Sequence, residues 1–124
     1  MTKKAFIEVE LTLLTEEDGG RKLPLSLEDE KVFYRPHIVI GNVSQREAIR
    51  DPKTGWGIEE YLSVQFRPCQ QTLHPGDTAH LILDLLFYPS IEYEKVKPQA
   101  EFTLREGSKI VGHGKVVDVH VTND

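Results

Sequence analysis

From Ala5 to Leu13 the apolar residues Ala5, Ile7, Val9, Leu11 and Leu13 take every second position, with Glu8, Glu10 and Thr12 among those between. Period two is the repeat of a strand with one buried face, so the spacing predicts a strand over 5–14, with Phe6 as an apolar exception on its outer side. The acidic run Thr15-Glu16-Glu17-Asp18 ends in Gly19-Gly20, which predicts a turn. A second strand fits Val32 to Ile40, where Pro36, unable to donate to a ladder, argues for an edge position or a bulge. Leu62, Val64 and Phe66 alternate with Ser63, Gln65 and Arg67 for a third strand, and His74-Pro75-Gly76-Asp77 has the order of a tight turn. The strongest apolar run, Ala79 to Tyr88, puts Leu81, Leu83, Leu85 and Phe87 on one face and Ile82, Leu86 and Tyr88 with His80 and Asp84 on the other. A strand apolar on both faces needs cover on both, from its own chain or from a partner. Phe102 and Leu104 predict a short fifth strand, Gly107-Ser108 a turn, and Lys109 to Val121 a sixth strand in which Gly112-His113-Gly114 reads as a bulge. Gln45 to Arg50 has room for about one helical turn, and no longer segment carries an apolar stripe.

Six strands at short spacing with no helical periods between them predict an all-β fold, a single closed six-stranded antiparallel β-barrel, since closure removes exposed edges. The 124 residues, 39% hydrophobic and 28% charged, suit one domain over 1–124, large enough for a core without staples. Twenty acidic side chains against fifteen basic ones leave a net charge of −5, the wrong sign for a surface that grips nucleic acid over its whole extent. Cys69 is the only cysteine, which excludes an internal disulfide and a cysteine-based metal site. Glu8 and Glu10 interrupt the N-terminal apolar run before it reaches signal-peptide length, so the expectation is a cytoplasmic protein with no membrane span.

The order of the turn and strand motifs carries a family likeness. Glu17-Asp18-Gly19-Gly20-Arg21, Tyr34-Arg35-Pro36, Pro75-Gly76-Asp77, Phe102-Thr103-Leu104-Arg105-Glu106-Gly107 and Val111-Gly112-His113-Gly114 with Val116-Val117 together resemble the third, C-terminal domain of elongation factor Tu, from about Phe6 to Val119. The resemblance implies a six-stranded antiparallel barrel that, in the full factor, packs on the nucleotide-binding domain, touches the T arm of aminoacyl-tRNA and meets other proteins. The chain departs from that pattern at Lys22, at Ser108 and Lys109, and over Gly41-Asn42-Val43-Ser44 with an inserted stretch, Asn42 to Gly57, that carries Trp56.

Two candidate surfaces follow. Trp56, between Gly55 and Gly57 on a polar loop, is either an interface anchor or a ring folded back over the barrel end; with Ile82, Leu86 and Tyr88 it makes the expected protein-binding surface. Arg21, Lys22, Arg105 and Lys109, with Lys115 nearby, make the alternative, a basic strip for tRNA-like helices; Arg21 and Arg105 match the family's motif positions, and their competing fate is to pair with nearby carboxylates. His37, His74, His80, His113 and His120 form no ligand motif and read as scattered surface histidines, so neither a metal nor another cofactor is expected. Cys69 with His74 close by in sequence reads as an inert thiol, and no catalytic residue stands out.

The expected function is therefore a non-catalytic module that binds a protein, as a mimic, a regulator or an immunity-type protein, with RNA binding in a translation-related role as the alternative. No phosphate-cradling glycine loop is present, and Asp51-Pro52-Lys53-Thr54-Gly55 lacks the necessary spacing. Titration calorimetry with GTP and magnesium is accordingly expected to show no binding, and a tight magnesium-dependent isotherm would refute this reading.

Overall fold

In the computed structural model, which describes residues 3–28 and 34–123, the strands are β1 (Lys3–Leu13), β2 (Leu25–Ser26), β3 (His37–Ile40), β4 (Leu62–Phe66), β5 (Thr72–Leu73), β6 (Thr78–Leu85), β7 (Glu101–Glu106) and β8 (Lys109–Asn123). Six of them close into an antiparallel barrel in the order β1-β6-β4-β3-β7-β8, and β2 pairs with β5 as a small separate sheet. The only helical element among the described residues is a single 3-10 turn, Ile91–Lys95. The period-two residues of β1, from Ala5 to Leu13, all point inward, where they meet Leu81, Leu83 and Leu85 of β6, Val64 and Phe66 of β4, and Phe102 and Leu104 of β7. That alternation is what lets one wall carry a dry inner face and a polar outer one.

Four expectations are corrected in detail. Pro36 marks neither an edge nor a bulge: β3 starts at His37 between β4 and β7, and the proline stands just before it, its carbonyl accepting the Val64 N–H at 3.2 Å. Val32 and Phe33, the start of the expected second strand, lie outside the described residues. Phe87 does not point inward. β6 ends at Leu85, a turn takes over at Leu86–Pro89, and the Phe87 ring is 65% exposed. Tyr93 of the 3-10 turn supplies a buried aromatic there; its hydroxyl donates to the Ser63 carbonyl at 2.7 Å and accepts the Phe87 N–H at 3.2 Å. Gln45 to Arg50 is not helical: a turn at Val43–Ser44 leads into irregular chain that ends in a bridge between Arg50 and Gly57.

The fourth correction concerns Gly112 and Gly114, which are in register with Leu13 and Leu11 rather than bulged. A Cβ on Gly114 would stand 2.3 Å from the Glu10 carbonyl oxygen and 2.8 Å from the Phe102 ring, so glycine is required by the close approach of β1. One register shift lies immediately before Gly112, on the β7 side, and the other beyond Gly114, on the β1 side. Val111 is the extra residue where the β7 partners jump from Gly112 to Ile110, and Val117 where the β1 partners jump from Asp118 to Val116.

Leu83 is fully buried whereas Phe87 is mostly exposed. Leu83→Ala is expected to cost about 2–5 kcal/mol in urea unfolding, and Phe87→Ala no more than about 0.5 kcal/mol. A large loss at Phe87 would contradict the end of β6 at Leu85.

Candidate functional site

On β7, Phe102 and Leu104 face the interior, so Thr103 and Arg105 must face outward, yet both are buried, Arg105 to 0% exposure. Val39 and Ile110 are likewise buried, outside the main interior cluster. The cover over Arg105 is the long connection between β3 and β4, which lies against the outside of the wall. A buried cation demands a partner, and Glu59 on that connection provides it. The Arg105 guanidinium donates to both Glu59 carboxylate oxygens, Nη1 to Oε1 at 2.9 Å and Nη2 to Oε2 at 3.0 Å. It also donates through Nη1 to the Tyr61 hydroxyl at 3.0 Å and through Nε to Thr103 Oγ1 at 2.9 Å. This fork-to-fork pairing is the strong, directional form of the ion pair.

Glu59 then fastens the rest of the loop. Its Oε1 accepts the Ile49 backbone N–H at 2.8 Å and its Oε2 accepts from Gln45 Nε2 at 2.9 Å. Hydrogen bonding from Arg105 outweighs desolvation and, aided by the Ile49 N–H and Gln45, pulls the Glu59 carboxyl from the usual 4.5 down to about 2. For Arg105, burial works against the charge and the Glu59 carboxylate more than restores it.

Beyond this clamp the chain turns back as a short ribbon. Arg50 bridges Gly57, the Asp51 N–H meets the Trp56 carbonyl at 2.8 Å and the Ile58 N–H meets the Ile49 carbonyl at 3.3 Å. Asp51 Oδ1 caps the tip by accepting the Lys53 and Thr54 N–H groups. The Arg50–Gly57 pairing sets Ile49 opposite Ile58 and Asp51 opposite Trp56, so alternation puts Ile49, Trp56 and Ile58 on one side of the ribbon. All three are exposed, Trp56 to 76%. The ring does not fold back over the barrel end.

The other expected site residues fall differently. Ile82, opposite Glu8 of β1, and Leu86 are only half-exposed, and Tyr88 packs against the core, so these three do not make an open apolar face. Arg105 is withdrawn from the basic strip by its burial and its four hydrogen bonds. Arg21 pairs with Glu106 at 3.0 Å and lies 5.5 Å from the Tyr34 ring, while the Tyr34 hydroxyl donates to Glu106 at 2.6 Å. Burial, then the bond to Glu106, pushes the Tyr34 hydroxyl well above its ordinary range. Lys22, Lys109 and Lys115 remain exposed.

The histidines are not all scattered. His37 packs edge-on to Tyr61 and His74 faces Asp77, while burial and the nearby Arg46 charge lower His113. His80 and His120, however, both approach Glu8. Cys69 is partly buried against the core. Sequence reading missed Glu59 and Tyr61 as clamp residues and Ile49 and Ile58 as the companions of Trp56. No protein-family model matches the chain, and a search of characterised proteins finds no significant match.

Glu59→Ala leaves the buried guanidinium uncompensated and is expected to cost about 3–5 kcal/mol. Because the Glu59 carboxyl is lowered to about 2 in the folded chain, the ionised clamp stabilises above the usual 4.5 and is lost as pH falls toward 2. The drop in wild-type stability across that window should exceed that of Glu59→Gln by about 3 kcal/mol in acid-dependent denaturant melts. Parallel pH profiles of the two proteins would contradict the clamp.

Proposed function

We propose that this chain is a non-catalytic protein-binding module that meets its partner through the ribbon carrying Ile49, Trp56 and Ile58. One observation carries the reading: a tryptophan 76% exposed between two exposed isoleucines, on a ribbon whose base is locked by a buried ion pair. Large apolar side chains left in water are unfavourable for an isolated molecule, and aromatic residues dominate the energetics of interface centres. Holding them in a set geometry before contact lowers the ordering cost of association. The resemblance to the third domain of elongation factor Tu points the same way, since that domain works through contacts with other macromolecules.

The alternative of RNA binding loses its main anchors, because Arg105 is buried and Arg21 is engaged with Glu106. Lys22 and Lys109 remain exposed on a chain of net charge −5. A photo-crosslinking amino acid at position 58, introduced in cells of the source organism, is expected to trap a discrete protein, and Trp56→Ala is expected to abolish the adduct without changing the melting temperature. Adducts to RNA that vanish with Lys22→Ala/Lys109→Ala and weaken steeply with salt would favour the RNA reading instead.

A further inference from the structure

On the opposite side of the barrel, three strands bring two histidines and two carboxylates onto one outer patch. Phe6 and Glu8 face outward from β1, and His80 faces outward from β6. Asp118 and His120 belong to the far end of β8, beyond the extra residue Val117. In an unbroken register Asp118 would oppose Ile7 and point into the core; the bulge instead sets Asp118 opposite Glu8 and His120 opposite Phe6, with Val119 turned inward. Bulges re-aim side chains in this way, and here the re-aiming delivers a carboxylate and an imidazole to the same spot.

We infer that Glu8, His80, Asp118 and His120 form a surface binding site for a divalent transition metal ion of the zinc type. Two imidazoles and two carboxylates are the donor set such borderline ions take. Each histidine presents the same atom: His120 Nε2 lies 2.7 Å from Glu8 Oε2 and 3.7 Å from Asp118 Oδ2, and His80 Nε2 lies 3.4 Å from Glu8 Oε1. Tetrahedral coordination with metal–ligand distances near 2.0 Å separates neighbouring donors by about 3.3 Å. The separations among Glu8, Asp118 and His120 suit an ion held by these three, whereas His80, exposed and near only the other oxygen of Glu8, would have to swing its ring toward them to supply the fourth ligand. Ligand atoms of Glu8, Asp118 and His120 all lie within 4.8 Å of one another.

A second observation distinguishes the patch from a chance meeting of surface charges. The His120 ring is stacked on Phe6 with centroids 4.7 Å apart and planes 18° from parallel. Phe6 is covered in turn by the Arg67 guanidinium at 4.2 Å from its centroid, and Arg67 is held by Asp84 at 2.8 Å. The apolar exception on the outer face of β1 thus serves as a platform that fixes the imidazole with Nε2 toward the carboxylates. Such support of a ligand ring tunes metal affinity.

The test uses the whole chain, stripped with chelator and titrated with zinc and with cobalt. One cobalt ion per chain is expected, with the intense visible absorption of four-coordinate geometry. In NMR of the wild-type protein, zinc should shift the ring resonances of His80 and His120 and leave those of His37, His74 and His113 in place. Affinity should fall about tenfold or more in Glu8→Gln and in His120→Ala, and be unchanged in His74→Ala, an exposed histidine paired with Asp77. The wild-type NMR reading stands even if a variant fails to fold. Absence of zinc binding by the wild type, perturbation of the other histidines instead, or wild-type affinity in a folded His120→Ala would each overturn the site.

Discussion

A guanidinium fully buried on the outside of a barrel wall cannot stand alone, because removing a cation from water is repaid only by a partner with good geometry. Arg105 imposes that demand on the chain around it. Glu59 answers it with both carboxylate oxygens and in doing so draws Gln45 and the Ile49 backbone down onto the wall, while Arg105 itself takes the Tyr61 hydroxyl. The exposed ribbon is defined by what remains once that anchoring is complete. The polar clamp and the apolar tip are thus two ends of one arrangement, in which a costly buried charge holds a displayed hydrophobic surface in place.

What could be read in the sequence follows from which interactions are local. The inward faces of β1, β4 and β6 were legible because period-two alternation is a property of consecutive residues. The ends of elements were less so: nothing in Leu85-Leu86-Phe87-Tyr88 announces that alternation stops after Leu85, where local backbone bonds close a turn and Tyr93 reaches back to the Phe87 N–H. Glycine at 112 and 114 was visible, but its reason was not, since the close approach comes from β1 about a hundred residues earlier in the chain.

The site residues divide along the same line. Trp56 stood out from its flanking glycines and polar surroundings, a local signal. Glu59 gave none, because its importance is set by Arg105, 46 residues away. The convergence of His80 and His120 on Glu8 requires both the β1–β6 register and the bulge at Val117. Residues from separate turn and strand motifs are joined in space: Arg21, Tyr34 and Glu106 form a single network, with Arg105 beside it in sequence. Those motifs describe how turns are tied to the barrel wall.

The seam between β1 and β8 has a mechanical character. Lys3 is paired with Asn123 and the strands run antiparallel, so residues 3 and 123 lie side by side at one rim of the barrel. A pull applied at residues 3 and 123 acts nearly along the inter-strand hydrogen bonds and loads them one at a time from the rim, whereas a pull along the strands would load the whole ladder at once. The barrel can therefore be stable toward heat and denaturant yet yield to tension at low force, opening first over the stretch from Lys3 to Glu8, where the ladder reaches the irregularity at Val117.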